Sequence, residues 1–358
     1  MKEDKAIVCY ISRDAVYTCE SVGAHHETVV STASDAMPFT VKMTTAGEML
    51  LGGRGSGALD LADNMYVDEY HLLVDLETAN IQTVVINDVL DLLFRQIREK
   101  HGAGSLLLVC SFSFSRIVRE KLISSARKYF PKVTCENPAT AMGMAYQVYL
   151  YRQGTLWEIR HHPFVSVVAD ADSIDVVVFS YWDDKPFFRM KSFRGIVSEV
   201  RKAVQEAVMG GYNLLESRHH FSGYFQNRKT DHHAERVMTL SGRGSKYTFG
   251  RAPDYYTIDW RKLQEIAREH VVRPVYLSLC SLFDLYELED EQGDAAVNTI
   301  ILSGGDFGKY PILVDSFRRI FERLDGAEPY VWPETAIMTE WAAEYSWVKQ
   351  HSDIFSEL

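Results

Sequence analysis

Short apolar runs alternate with longer amphipathic stretches in the first half of this chain. The runs at residues 6–11 and 106–110 predict buried strands, because each is short, apolar and bounded by turn-forming or polar residues. Apolar residues spaced by three and four predict helices at residues 86–100 and 117–130. A helix over residues 139–150 opens with small side chains, which suit close packing against a neighbour. Further strands are predicted at residues 15–19, 39–43 and 48–51, and a short helix is predicted at residues 58–64.

The same alternation starts again in the second half. Three apolar runs with short connections predict a meander of strands at residues 165–168, 176–181 and 186–191. Helices are predicted at residues 197–209 and over a long stretch, 260–288, that is interrupted near Pro274. Strand clusters that alternate with helices twice over indicate two α/β lobes.

A strand that breaks at paired glycines is the clearest local motif. The β-branched run at residues 299–302 stops at Ser303-Gly304-Gly305, and a helix is predicted from Pro311 onwards. Glycines between a strand and a helix let bare backbone approach a ligand closely. The motif therefore predicts a nucleotide site.

Length, composition and charge exclude several classes of protein. At 358 residues the chain predicts two domains or lobes, and 46% hydrophobic and 24% charged residues are typical of an ordered globular protein. A net charge of −11 disfavours nucleic acid as the main partner. The five cysteines have no CxxC spacing, so we expect all five to be structural, in a reducing compartment. We expect no signal peptide, since the first residues form no long apolar segment, and no apolar run is long enough to span a membrane, so we expect a cytoplasmic protein.

Five segments resemble, in order, motifs of the nucleotide-binding domain of Hsp70 chaperones, within the actin/Hsp70/sugar kinase superfamily. The continuous match between residues 106 and 146 carries most weight, since it is similar to the family's strand, helix and "NEPtAA" segment almost without gaps. The other four segments are residues 37–52, 235–241, 303–313 and 333–343.

The resemblance implies a two-lobed actin-like α/β fold, in which each lobe is a mixed sheet flanked by helices. Lobe I would cover residues 1–155, with a trimmed subdomain at about 62–86, and would be closed by a helix at 333–350. Lobe II would cover residues 156–332, with a small insert subdomain at about 212–258. No substrate-binding domain of the Hsp70 kind is expected in this chain.

The resemblance also implies which residues would hold Mg-ATP between the lobes. The adenosine side would be formed by Ser303, Gly304, Gly305, Asp306, Glu235 and Ser241. Family members hold the phosphates and the metal with two glycine-rich hairpins that carry an acid and hydroxyl groups. In the second hairpin Asp170 and Asp175 match the acids, as candidate metal ligands, and Ser173 matches the threonine.

Several phosphate-binding features of the family are missing. In the first hairpin the acidic position falls on Cys9 and the glycine position on Ile11, with Asp14 as a shifted metal candidate. The second hairpin has no glycine, so the nest of backbone amides that accepts phosphate oxygens is lost. Asn137 stands where the family has a glutamate, and Arg54 is the nearest candidate for its lysine.

These losses predict a pseudo-ATPase that serves as a partner-binding or assembly module. Its cofactor would be ATP or ADP with Mg²⁺, bound weakly, or there would be none; its partner would be a protein. Asp170, Asp175 and Asn137 are the remaining candidates for catalysis. The alternative is an active but diverged Mg-ATP-hydrolysing protein of the Hsp70 or actin kind, and a sugar or metabolite kinase of the same superfamily is a third possibility.

Other polar motifs carry less weight. Four histidines at positions 219, 220, 232 and 233 form the one group that invites a metal hypothesis, but adjacent histidines chelate one ion poorly, so we expect surface loops. The segment Gly52–Gly57 lacks the lysine and hydroxyl residue of a P-loop, and we interpret it as a linker.

Overall fold

The computed structural model describes most of the chain. The described residues are 5–12, 15–23, 29–31, 35–38, 40–44, 49–51, 64–68, 83–155, 164–170, 173–182, 185–210, 234–240, 246–251, 254–284, 297, 299–324, 329–331 and 335–351. The strands are β1 Lys5–Ile11, β2 Ala15–Gly23, β3 Val29–Ser31, β4 Asp35–Pro38, β5 Thr40–Thr44, β6 Met49–Leu51, β7 Asn64–Asp68, β8 Ser105–Val109, β9 Lys132–Glu136, β10 Phe164–Asp170, β11 Ser173–Trp182, β12 Lys185–Arg194, β13 Lys246–Arg251, β14 Asp254–Asp259, β15 Thr299–Ser303 and β16 Tyr330–Val331.

Helices connect and cover these strands. They are α1 Thr83–His101, α2 Arg116–Arg127, α3 Pro138–Gln153, α4 Ile196–Gly210, α5 Trp260–Ala267, α6 Arg273–Asp284, α7 Gly305–Lys309, α8 Pro311–Glu322 and α9 Thr335–His351. A π-helical turn, Arg268–Val272, joins α5 to α6, and residues 234–238 are also helical. Among the described helices, none combines the length and the apolar character needed to cross a membrane.

Each lobe is built on one mixed sheet, and the two sheets share a plan. In the first lobe the strand order is β3-β2-β1-β8-β9, with β4 also paired to β2. In the second lobe the order is β12-β11-β10-β15-β16. In both, an antiparallel hairpin (β1–β2 or β10–β11) is followed by a parallel neighbour (β8 or β15). Smaller sheets are formed by β6-β5-β7 and by β13-β14.

Three apolar cores hold these layers together. Alternate residues of β1 point to opposite faces, so Cys9 packs with α1 and α2, whereas Val8 and Tyr10 face the second lobe. The second lobe buries its own core between its sheet and helices α4, α5 and α8. The third core lies between the lobes and contains residues of α3 and α9 as well as inner faces of both sheets.

Small residues in α3 allow the two lobes to approach closely. Gly143 lies against the ring of Phe179 in β11, where a Cβ atom would overlap that ring. Phe179 in turn stacks on Phe164 of β10, with ring centroids 4.5 Å apart. The expectation that this helix is suited to close packing is therefore confirmed.

The sequence pattern places most of the regular elements correctly. The predicted interruption near Pro274 corresponds to the π-helical turn at Arg268–Val272, just before Pro274 in the first turn of α6. The strand predicted at 15–19 runs on to Gly23. Strand β9 is absent from the prediction, although Val133 and Cys135 alternate with polar residues along it in the pattern of a half-buried strand. Of the short helix expected at 58–64, the structure describes Asn64 alone, and that residue begins β7.

Candidate nucleotide cleft

The candidate site lies where the ends of strands β1 and β10 approach each other across the cleft between the lobes. Tyr10 near the end of β1 and Asp170 at the end of β10 meet there, and the Tyr10 hydroxyl donates a hydrogen bond to Asp170 Oδ2 over 2.6 Å. Tyr10 is 1% exposed. Burial raises the pKa of Tyr10 well above its ordinary value, and the Asp170 carboxylate raises it further, so the phenol stays protonated and donates.

Cys9, which the motif comparison aligned with the family's acid, lies on the opposite face of β1. Its thiol is fully buried among apolar residues, and that burial raises its pKa. The residue of β1 that faces the cleft is therefore the aromatic Tyr10. The proposed alternative, Asp14, and the candidate lysine replacement, Arg54, lie outside the described residues.

The second acid of the hairpin, Asp175, is enclosed by hydrogen-bond donors. It is 1% exposed, and Asn137 Nδ2 donates to its Oδ1 over 2.7 Å. The Ser192 hydroxyl also donates to it. Burial raises the pKa of Asp175, while bonds from Ser192, Ser111, Asn137 and the Phe112 amide act in the opposite direction.

Asn137 holds this position because it also begins α3. Its side-chain oxygen accepts the backbone N–H of Ala139 over 2.8 Å, so Asn137 is the N-cap of the helix. Pro138 follows at the first helical position, where its missing N–H costs nothing. The same side chain thus caps a helix with its oxygen and binds Asp175 with its nitrogen.

In the second hairpin, a hydroxyl group forms a hydrogen bond to the backbone of the same hairpin. The pairing of Asp170 with Ser173 leaves a connection of residues 171 and 172. The Ser173 hydroxyl donates to the backbone carbonyl of Asp170 over 2.8 Å. Ser173, which matched the family's phosphate-binding threonine, therefore stabilises the turn.

The described residues of this cleft do not fit a divalent metal. The Asp170 carboxylate accepts a hydrogen bond from the Tyr10 phenol, and the Asp175 carboxylate is surrounded by amide and hydroxyl donors. A hard cation needs several free oxygen ligands instead. No group of three His, Cys, Asp or Glu residues that could hold a metal occurs in the described part of the chain. The four histidines at 219, 220, 232 and 233 lie outside it.

Of the paired glycines after β15, Gly304 is required by strand packing. Gly304 has φ +108°, and a Cβ atom there would collide with the backbone of Ala169 in the parallel neighbour β10. Gly305 lies beside Asp170, whose Oδ1 would be 3.6 Å from its Cβ. Ser303 is buried, and its hydroxyl has no hydrogen-bond partner among the described residues. The motif therefore brings bare backbone to β10 as well as to the cleft.

A cluster of polar side chains lies beyond these glycines, at the place expected for the adenosine. Glu235 and Lys309 form an ion pair at 2.9 Å. The Tyr310 hydroxyl donates to Glu235 over 3.3 Å, and Arg201 donates to Tyr310 over 3.4 Å. The Lys309 hydrogen bond and charge lower the pKa of Glu235. Asp306 is partly buried in α7, and Ser241 lies outside the described residues.

Of the site residues that the sequence predicts, Asn137, Asp170 and Asp175 lie in one region of the cleft, and Glu235 belongs to the polar cluster beyond the glycines. The sequence prediction missed Tyr10, because an aromatic residue within an apolar strand is typical of a core position. It also missed Ser192, a single polar residue in β12. The position of Tyr10 one residue after the expected acid was the available signal.

Two mixed sheets, each with a hairpin at the cleft and shared helices between them, define the actin-like ATPase fold. Solved structures with this arrangement include MreB 5 of Spiroplasma citri bound to AMPPNP, at TM-score 0.58 and 14% identity, covering 99% of this chain and 98% of that one. A non-polymerising mutant of MamK bound to AMPPNP has TM-score 0.53, and MamK in a double helical filament has 0.57. Each MamK structure is 11% identical and covers 96% of this chain and 98% of the MamK chain.

These similarities show the fold that the sequence motifs predicted. At 11–14% identity they do not extend to activity. The sequence matches no protein-family profile and no curated protein sequence.

Proposed function

We propose that this chain is an actin-like pseudo-ATPase that works as an assembly or partner-binding module, with little or no ATP hydrolysis. The observation that carries the proposal is the hydrogen bond between Tyr10 and Asp170. Through this bond the buried Tyr10 phenol occupies the Asp170 carboxylate, which would otherwise organise a metal ion and its waters. Proposed with it are a cytoplasmic location, a protein partner, and lobe boundaries at residues 1–155 and 156–332.

The physical reason is the electrostatics of phosphoryl transfer. Its transition state spreads negative charge over the transferred group, and catalysis depends on positioned cations and donors that neutralise this charge. Here one acid is bound to Tyr10 and the other to Asn137, and β10–β11 contains no glycine to form an amide nest. Loss of a single such donor typically costs about a hundredfold to a thousandfold in rate.

The assembly part of the proposal draws on the solved structures of similar fold. MamK has been solved as a double helical filament, and a MamK mutant is described as non-polymerising. The Hsp70 resemblance rests on sequence motifs, and the same motif order is compatible with an assembly role. We therefore propose self-assembly or capture of a protein partner as the function that the actin-like fold serves here.

A second candidate is nucleotide binding, with hydrolysis through Asp170 and Asp175 as its strongest form. It is favoured by the cluster of Glu235, Lys309 and Tyr310 and by the AMPPNP in MreB 5 and mutant MamK. In this form the Tyr10 hydroxyl would leave Asp170 when Mg-ATP enters.

Calorimetric titration separates the two candidates. The full chain and Asp170→Ala are titrated with ATP and ADP, each with Mg²⁺ and with a chelator, and assembly is followed by sedimentation. The proposal predicts the same weak or absent binding with and without Mg²⁺, together with assembly that needs no nucleotide. Micromolar, Mg²⁺-dependent binding that Asp170→Ala abolishes would establish the second candidate instead.

A further inference from the structure

Two cysteines lie in contact at the edge of the first-lobe sheet. Cys110 follows the last residue of β8, and Cys135 lies in the edge strand β9, with their sulfur atoms 3.7 Å apart. The Cys110 backbone N–H donates to the Glu136 carbonyl over 3.1 Å, which fixes the two segments side by side. No disulfide joins them in the structure.

The surroundings of the pair favour a thiolate on one of them. The Arg119 guanidinium lies over the Phe112 ring, 4.5 Å from its centroid, and its Nε is buried without a hydrogen-bond partner among the described residues. The Cys110 hydrogen bond lowers the pKa of Cys135, burial and the Glu136 carboxylate act in the opposite direction, and the Arg119 charge lowers it further. That hydrogen bond and burial raise the pKa of Cys110. Reactive cysteines are typically found beside a positive charge and partly open to solvent.

The two thiols differ in access, and this difference assigns their roles. Cys135 is partly exposed, whereas Cys110 is completely buried. A small oxidant therefore reaches Cys135 first, and Cys110 is in position to attack the oxidised sulfur. Among the described strands β9 pairs with β8 alone, and the two sulfur atoms would have to close from 3.7 Å to a disulfide bond of about 2.05 Å.

We propose that Cys110 and Cys135 form a redox site, in which a hydroperoxide converts the two thiols into a reversible disulfide. The Cys135 thiolate attacks the peroxide oxygen, the O–O bond breaks, and a sulfenic acid forms while hydroxide leaves. The Cys110 sulfur then attacks Cys135, the S–O bond breaks, and a second hydroxide leaves. The two thiol protons convert both hydroxides to water, so one hydrogen peroxide oxidises two thiols to one disulfide and two waters.

The remaining cysteines provide contrast within the same chain. Cys9 and Cys19 are buried, and Cys9 is surrounded by apolar side chains. Cys280 in α6 is partly exposed, like Cys135, but its side chain bonds to Tyr276. Cys280 is therefore the matched control for exposure without a second thiol. The inference revises the expectation that all five cysteines are structural.

Peptide mapping of the peroxide-treated full chain tests the site. Remaining thiols are alkylated, and the protein is digested with trypsin without reduction. The expected product is a disulfide-linked pair of peptides, residues 101–116 and 133–152, which dithiothreitol separates. Cys280→Ser keeps this product, and Cys135→Ser abolishes it. In Cys110→Ser a sulfenic acid at Cys135 is trapped by dimedone.

The rate of alkylation of Cys135 in the untreated protein tests the role of Arg119 without oxidation. We expect Cys135 to react faster than Cys280 at neutral pH, and Arg119→Gln to slow it by about tenfold for each unit by which the pKa rises. Arg119→Lys keeps the charge and restores the rate. Peroxide that leaves both thiols open to alkylation, a disulfide to another cysteine, or an earlier reaction at Cys280 would overturn the proposal.

Discussion

Replacement of Asn137 by alanine tests the contact that joins α3 to the second lobe. Asn137 is 0% exposed and makes two kinds of hydrogen bond. Its oxygen caps α3 over 2.8 Å, and its nitrogen donates to Asp175 over 2.7 Å and to Ser192 over 3.2 Å. Alanine removes all of these bonds and leaves a buried carboxylate with one donor fewer.

Asn137→Ala loses both the helix cap and the hydrogen bond to Asp175. An N-cap replaced by alanine costs about 1 kcal/mol, and a buried hydrogen bond to a charged group about 1.5–3 kcal/mol. Asn137→Ala should therefore lower the free energy of unfolding by about 3 kcal/mol. Asn137→Ser keeps an N-cap oxygen but cannot reach Asp175 as the amide does, so it should lose about 2 kcal/mol.

Urea unfolding of the parent and both variants measures these differences, with the dependence on urea concentration compared to confirm that the same transition is followed. The difference between Ala and Ser isolates the cap, and the difference between Ser and the parent isolates the bond to Asp175. A loss below about 0.5 kcal/mol in Asn137→Ala would refute the hydrogen bonding derived for both partners, since it is smaller than the cap alone typically costs.

Three further outcomes follow from the same structure. Tyr10→Phe removes the hydrogen bond across the cleft and should cost about 1.5–3 kcal/mol in urea unfolding; an unchanged free energy would show that the bond does not form. Gly143→Ala should cost about 1–3 kcal/mol, because its Cβ overlaps Phe179, whereas Gly308→Ala, with no atom within 4 Å, should be neutral or slightly stabilising; equal effects would contradict the packing. The pKa of Asp175 is raised in the folded protein, so the stabilisation linked to Asp175 is complete below the unfolded pKa of about 4 and is lost as pH rises through the folded pKa. The free energy of unfolding of the parent minus that of Asp175→Asn should therefore fall over this pH range. A difference that stays constant with pH would refute the raised pKa.

Regular elements with a strong period could be predicted from the sequence, because local patterning determines them. The apolar runs that became β1, β8, β10 and β15 needed no tertiary information. Strand β9 alternates polar and apolar residues over five positions, which is a weaker strand signal than an apolar run, and its parallel pairing with β8 completes the strand.

The sequence indicates candidate residues for the site, but it does not indicate which of them form hydrogen bonds with one another. Motif order located Asn137, Asp170 and Asp175, yet nothing local indicates that Asn137 and Asp175 share a hydrogen bond across 38 positions of sequence. The alignment puts the family's acidic position at Cys9, whereas the side chain of β1 that meets Asp170 is that of Tyr10. A shift of one residue in a strand exchanges the two faces, which is why Tyr10 rather than Cys9 meets Asp170.

Phosphate release from Mg-ATP by the parent and by Asp170→Ala tests the central claim most directly. The account predicts that both proteins release phosphate at the same background rate, because Asp170 is already bound by the Tyr10 hydroxyl and organises no metal. Mg²⁺-dependent turnover by the parent that disappears in Asp170→Ala would contradict it.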